Sequence, residues 1–241
     1  MNPDLSVVVL CYRSGDAARS CAARIGQVLL EAGIDDYQLV LVGNYVAGSD
    51  DTTPDIVREL AAGDPRIVCS AVAKEGMMGW DMRHGLALAT GEHLAIIDGD
   101  GQILAEDLVR VYRLLREQGL DLAKTYRTRR GDGFKRKAFS WVFNGLFHAL
   151  FPGLPVRDVN AKPKILTRAA YERLTLQSDD WFIDAEILIQ ARRLGFRIGE
   201  VETEFLGLTG RRSFIRMAAV LEFVVNLLRY RILELRRRTE K

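Results

Sequence analysis

Two aspartates one glycine apart, Asp98 and Asp100, stand where the apolar run Leu94-Ala95-Ile96-Ile97 stops, and Gln102 follows two places later. An apolar run of that length bounded by turn residues reads as a buried strand. Gly99 and Gly101 let the chain turn tightly and come close to a ligand. Oxygen donors at alternate positions past a strand end suit a hard divalent cation that also holds phosphates. Asp-Gly between apolar runs also suits a hairpin turn. A calcium loop does not fit: counted from Asp98, Ile103 takes the place of the required glycine and Val109 that of the glutamate.

Two further constellations carry chemistry. Lys74-Glu75-Gly76-Met77-Met78-Gly79-Trp80-Asp81-Met82-Arg83 puts glycines and cations at a helix entry. Backbone amides near Gly79, with Lys74 or Arg83, can meet a diphosphate there, although the same residues also make an ordinary helix start. Ser178-Asp179-Asp180-Trp181-Phe182-Ile183-Asp184-Ala185-Glu186 gathers acids ahead of an apolar helical run. Asp179 or Asp180 can cap that helix, while Asp184 and Glu186 place a carboxylate toward the interior if it packs.

The elements that must hold these groups alternate. Strands are expected at Leu5–Leu10, Gln38–Val42, Ile67–Ala71, His93–Ile97 and near Asp121–Thr125. Helices are expected at Ala17–Ala32, Pro54–Ala61, Met82–Ala89 and Glu106–Gln118. Strands alternating with helices predict an α/β fold, a mostly parallel sheet covered on both faces. Ligands then bind outside the carboxyl ends of the strands. Cys11-Tyr12-Arg13, Gly43-Asn44 and Asp98–Gln102 all lie at such ends.

Past residue 125, Arg127, Arg129, Arg130, Lys135, Arg136 and Lys137 lead into the aromatic helix Ala138–Phe151. That composition suits either a membrane interface or a core helix behind a basic loop. Near the C-terminus, Phe214, Met217, Leu221, Val224, Leu228, Ile232 and Leu235 follow helical steps with a basic end. Such a helix, about 36 Å long at 1.5 Å per residue, can lie in a bilayer interface, pack on the domain or pair with a second copy.

The chain has 241 residues, a net charge of +2 and an ordinary globular composition. Three cysteines without metal-type spacing fit a reduced compartment. Met1-Asn2-Pro3-Asp4 lacks a signal-peptide pattern, and no window reaches the ~18 uninterrupted apolar residues of a span. The expected location is cytoplasmic, peripheral on the cytoplasmic face of a membrane. Basic clusters interleaved with apolar helices do not favour nucleic acid.

Taken in order, these motifs resemble the inverting family 2 glycosyltransferases of GT-A fold (Rossmann-like), in the branch of polyprenyl-phosphate sugar (dolichol-phosphate mannose) synthases. The resemblance runs from about Leu5 to Ser213. It rests on Val7-Val8-Val9-Leu10-Cys11-Tyr12, Leu88-Ala89-Thr90-Gly91-Glu92, Ile97–Gln102, Asp158 with Lys164, Phe182–Glu186 and Gly210-Arg211-Arg212-Ser213. It implies a domain over 1–212, including the basic and aromatic segment 124–151, and the amphipathic, basic helix read from its spacing follows over 213–241. It also implies Mg²⁺ or Mn²⁺ on Asp98, Asp100 and Gln102. Cys11, Tyr12, Asn44, Lys74, Gly79, Arg83, Asp98, Gly99 and Asp100 would bind the nucleotide sugar. Asp184, Glu186, Arg127 and Arg211 would line the reaction centre, and Arg129, Lys164, Arg212 and Ser213 would hold an acceptor phosphate. The chain departs from the family where Val-Asp-Asp-Gly-Ser is usual, carrying Val42-Gly43-Asn44-Tyr45, and where Ser-Gly-Phe is usual, carrying Ala161-Lys162-Pro163.

The implied reaction is metal-dependent transfer of a sugar from a nucleoside diphosphate to a polyprenyl (undecaprenyl or dolichyl) phosphate, with membrane contact through 138–151 and 214–238 and with homo-oligomers possible. A saccharide hydroxyl as acceptor, or a non-catalytic membrane-surface module on the same fold, are the alternatives.

Overall fold

The computed structural model describes residues 2–130, 134–205, 223–232 and 234, without the side chains of 129–141 and 205. Its elements run β1 (Leu5–Leu10), α1 (Asp16–Glu31), β2 (Tyr37–Val42), α2 (Thr53–Gly63), β3 (Ile67–Ser70), α3 (Met78–Leu88), β4 (His93–Asp98), α4 (Glu106–Glu117), β5 (Leu122–Arg130), α5 (Phe134–Leu150), β6 (Lys164–Thr167), α6 (Arg168–Glu172), α7 (Ile183–Arg193) and β7 (Ile198–Phe205). A further helix covers 223–232.

Among the described residues one seven-stranded sheet forms, in the order β3-β2-β1-β4-β6-β5-β7. β6 is antiparallel to both neighbours and the other pairs are parallel. The apolar run of β1 is explained by cover on both faces, since successive side chains point opposite ways. Val7 and Val9 pack with Ile25 and Leu29 of α1 and Leu108 and Val111 of α4. Val8 and Leu10 pack with Met82 and Leu86 of α3 and Ile183 and Ile187 of α7. At Gly85 of α3 a Cβ would stand 2.4 Å from Val8 Cγ1, so only glycine lets this helix lie so close to the sheet.

The parallel architecture matches the sequence expectation, and Asp98-Gly99 is no hairpin, because α4 follows it. Three elements differ. α3 starts at Met78 rather than Met82, so the glycine segment lies partly inside the helix. β5 runs on to Arg130, its charged side chains notwithstanding, because β7 pairs with it along its length. β6 inserts antiparallel between β4 and β5 and carries Lys164 into the interior.

The aromatic helix α5 is a core element on one side: Phe147 and, just past its end, Phe151 are fully buried. Truncating either to alanine would cost about 3–5 kcal/mol. Val142 on another side is exposed. The C-terminal helix shows the same division, but with a different stripe inside from the one its spacing suggested. Phe223 and Leu227 enter the second core beside Phe143, Phe182 and Tyr230, whereas Val225, Leu228 and Ile232 face outward. It therefore packs on the domain; the expected boundary at 212/213 lies outside the described residues. No helix among the described residues is long and apolar enough to cross a membrane.

Candidate active site

The registers of β1, β2 and β4 place Leu10 beside both Val42 and Asp98, so the loops at 11–13, 43–45 and 98–102 leave the sheet side by side. The Asp98 turn is held from below. Gly99 N–H donates to Leu10 O at 2.9 Å, and a Cβ on Gly99 would stand 2.9 Å from Cys11 Sγ. Cys11 is therefore a packing residue under the turn, with its thiol donating to Val9 O and its pKa pushed up by burial. Gly101 takes a positive φ of 75°, and Asp100 Oδ1 accepts the Gln102 N–H at 3.1 Å.

Asp98 faces a small polar cavity lined by Ile103, Arg127, Asn160, Lys162, Thr203 and Glu204. Arg127 grips Asp158 with Nε and a terminal nitrogen at 2.6 and 2.9 Å. Burial works against its charge, but Asp158, with Asp98 and Asp184 nearby, holds its pKa raised. Lys124 lies below, bonded to Glu200 at 3.1 Å and to the carbonyl of Asp158. Asn160 Oδ1 is buried with no hydrogen-bond partner among the described residues, an acceptor available to a donor that enters the cavity.

The decisive cluster shares Asp98 and Lys162 with this cavity and adds Asp184 and Lys164. Lys162 Nζ stands 3.2 Å from Asp98 Oδ1 and 3.2 Å from Asp184 Oδ2. Lys164 Nζ takes the other oxygen of Asp184 at 2.5 Å and donates also to Ala161 O. Lys164 begins β6 and Lys162 lies in the bend before it, ahead of a cis Lys162–Pro163 bond, and both ammonium groups reach Asp184 in the first turn of α7. Burial alone would raise the Asp184 pKa; Lys162 and Lys164 outweigh it and hold Asp184 below the usual carboxylate value. Burial also opposes charge on Lys162, where Asp184 and Asp98 keep the pKa raised.

Glu186 does not share the place expected beside Asp184. Two positions apart on a helix, the side chains diverge. Glu186 accepts from the backbone N–H of Gln177 and Ser178, from Gln190 Nε2 and from the Tyr230 hydroxyl, so it ties the loop before α7 and the C-terminal helix to α7. Lys164, expected at the acceptor phosphate, is instead fully buried as the counter-ion of Asp184.

The donor-side residues divide similarly. Asn44 is buried: its Oδ1 accepts from Ser70 Oγ and Val72 N–H, and its Nδ2 donates to Asp81 at 2.9 Å. Lys74 pairs with the same Asp81, and its ammonium sits 4.2 Å from the centre of the Tyr12 ring. These residues fix the geometry of the first two loops, with Tyr12 and Lys74 packed together where those loops leave the sheet. The amide of Gly79 is used by Asp180 O at 3.0 Å, and a Cβ there would meet Ser178 O at 2.4 Å. Arg83 pairs with Asp179. The start of α3 is thus bound to the lead-in of α7 rather than open to a diphosphate. The side chain of Arg129, and Arg211, Arg212 and Ser213, lie outside the described residues.

Sequence reasoning did not single out Lys162, Asp81 or Asn160.

The sequence model of the glycosyl transferase family 2, described as "Glycosyl transferase family 2", matches residues 6–181, which span β1 through the Asp98 turn to the lead-in of α7. The chain belongs to that family. Glycosyltransferase AglD of Haloferax volcanii is 27% identical over 210 residues, covering 84% of this chain and 33% of AglD. The chain thus spans about a third of that relative's length. Glucosyl-3-phosphoglycerate synthase from Mycobacterium tuberculosis, solved with UDP, superposes with a TM-score of 0.73 at 21% identity, covering 95% of this chain and 80% of that one. The same synthase with Mn²⁺, UDP and phosphoglyceric acid gives a TM-score of 0.70 at 22% identity, covering 95% and 78%. At that identity the likeness speaks for the shared GT-A fold. In this member of family 2, Asp98 at the strand end and Asp184 of α7 meet through Lys162.

Proposed function

We propose that this chain moves a sugar, with inversion, from a nucleoside-diphosphate sugar to an acceptor that presents a phosphate, most specifically a polyprenyl phosphate at the cytoplasmic face of a membrane. The observation that carries the reading is the double lysine clamp on Asp184. A general base must lie within hydrogen-bond reach of the proton it takes and works best with a pKa near the operating pH. Asp184 is buried and held below the usual carboxylate pKa by Lys162 and Lys164, so it is a weak base and suits an acceptor that arrives already ionised. A phosphate monoester does so, its second pKa being about 6. A saccharide hydroxyl would need a base.

The donor set fits a divalent cation. Asp98 and Asp100 supply hard oxygens, and the Asp98 side chain is about one-third exposed (35%), with Oδ2 left after Lys162 takes Oδ1. Among the described residues no group of three or more His, Cys, Asp or Glu forms a closed metal cage. Mg²⁺ and Mn²⁺ sites of this kind are completed by substrate phosphates and water. When bound, the ion supplies neutralisation of the charge that gathers on the departing nucleoside diphosphate. Arg127, fixed by Asp158 at the cavity wall, adds a preorganised positive charge on the same side. Asn160 Oδ1 can take a hydroxyl of the bound sugar. The Mycobacterium tuberculosis synthase solved with Mn²⁺, UDP and phosphoglyceric acid supports both the metal and the phosphorylated acceptor.

Membrane contact is supported by the outward apolar residues Val142, Val225, Leu228 and Ile232, with the exposed Arg229 among them. Amphipathic surfaces of that kind settle at the level of lipid headgroups.

The test is a product assay with radiolabelled nucleotide sugars and Mn²⁺ or Mg²⁺. Undecaprenyl phosphate in vesicles, the corresponding alcohol, 3-phosphoglycerate and a saccharide are offered in parallel. Label should enter undecaprenyl phosphate and not the alcohol. Label only in the saccharide would overturn the reading; label only in 3-phosphoglycerate would remove the lipid from it and, with the sugar on the hydroxyl of that acceptor, would remove attack by phosphate as well.

A further inference from the structure

Lys162, in the bend just before β6, puts an ammonium between Asp98 at the end of β4 and the α7 carboxylate of Asp184. Its side chain is almost wholly buried (3% exposed), so neither water nor salt screens it much from Asp98. A cation fixed 3.2 Å from Asp98 Oδ1 acts on a divalent ion in two ways. It takes one of the carboxylate's oxygens, and it repels a second positive charge. Both effects shrink once a diphosphate brings its own negative charge to the site.

We propose that Lys162 is a positioning residue that makes divalent-cation binding conditional on the nucleoside diphosphate: it holds Asp98 in place while keeping the free chain's affinity for the metal low. The metal and the donor then bind as a unit, each raising the affinity of the other by the same factor, as linkage requires. This rests on the metal at Asp98 and Asp100 read above. Lys162 also anchors Asp98 to α7, so the turn keeps one orientation whether or not the metal is present.

The experiment is calorimetry of the full chain with Mn²⁺ alone, then with Mn²⁺ in the presence of whichever of UDP, GDP, CDP and ADP binds best. Wild type should bind Mn²⁺ weakly alone and much more tightly with the nucleotide. Lys162→Met removes the charge while Asp184 keeps Lys164 as counter-ion. It should bind Mn²⁺ alone about tenfold or more tighter than wild type, with the Mn²⁺–nucleotide coupling reduced by a similar factor. Lys162→Gln, which keeps hydrogen-bonding capacity without charge, should behave like Lys162→Met. A merely structural role would move the metal affinity in the opposite direction, by loosening Asp98.

Three results would overturn the proposal. One is unchanged or weaker Mn²⁺ binding in variants that melt cooperatively. Another is a glutamine variant indistinguishable from wild type. The third is wild type that binds Mn²⁺ neither alone nor with a nucleotide, which would also remove the metal reading itself. Wild type that binds Mn²⁺ with nucleotide, paired with an unaltered Lys162→Met, would leave that reading standing and sink only the role of Lys162.

Discussion

Lys164 Nζ lies 2.5 Å from Asp184 Oδ1, and both residues are buried at the junction of β6 and α7. With Lys162 on the other oxygen, one carboxylate neutralises two interior ammonium groups. Removing the partner of a buried charge typically costs about 3–5 kcal/mol. Asp184→Asn is therefore expected to lower the melting temperature strongly. Asp98→Asn, at a partly exposed carboxylate, should lower it little. Circular-dichroism melts compare them, and equal losses would speak against the clamp.

The same pair has a pH signature. Burial, assisted by Lys124 and Lys162, outweighs Asp184 and pushes the Lys164 pKa down from 10.5 to about 8. Between those values the unfolded chain binds the proton that the folded chain has lost, so this group makes stability rise with pH from about 8 to 10.5. Its contribution is lost as pH falls through 8. Lys164→Met lacks the effect. The melting temperature of wild type should therefore gain on that of the variant across that window, and a constant difference would be the contrary result.

Asp98→Asn and Asp100→Asn each remove a charged oxygen from the proposed cation site. Turnover should fall about 10²-fold or more, in the range seen when a single preorganised electrostatic group is deleted. Calorimetric Mn²⁺ binding in the presence of nucleotide should be lost alongside, with the melt preserved. Full Mn²⁺ binding in both variants would remove these residues from the site.

Glu186 and Tyr230 join α7 to the C-terminal helix through a direct hydrogen bond. Glu186→Gln weakens that bond and the acceptance from Gln177 and Ser178, at a cost of about 1–3 kcal/mol. Tyr230→Phe should cost less, and the two changes should be coupled in a double-mutant cycle followed by urea. Because Glu186 ties elements together rather than touching substrate, turnover of the folded variant should fall by less than about tenfold. A larger loss in a chain of unchanged stability would return Glu186 to the reaction centre.

What could be read from the sequence follows burial. Val7-Val8-Val9 and Leu94-Ala95-Ile96-Ile97 are covered on both faces, so their apolar runs reveal the sheet and the carboxylates at its end. β6 and β7 gave weaker signals. β6 is four residues long and begins with a buried lysine, and β7 alternates apolar residues with glutamates. One of those, Glu200, is nearly buried against Lys124, a pairing that no local pattern announces. At the site, Asp98, Asp100 and Asp184 were legible because a carboxylate beside an apolar element needs a reason to be there. Lys162 was not, nor were the partners of Lys164 and Glu186, because those partners come from other elements and only the packed chain decides which charges meet. The exposed stripe at Leu228 and Ile232 was visible as an amphipathic face, yet its neighbours Phe223 and Leu227 are the ones that dock.

The central claim is that the sugar goes to a phosphate oxygen without help from a protein base. ³¹P NMR of the purified product of wild type, Mn²⁺, labelled donor and undecaprenyl phosphate reads that bond directly. The expected spectrum has the acceptor phosphorus converted from a monoester to a diester and coupled to the anomeric proton of the sugar. A monoester resonance left unchanged while sugar is found on a hydroxyl would contradict it.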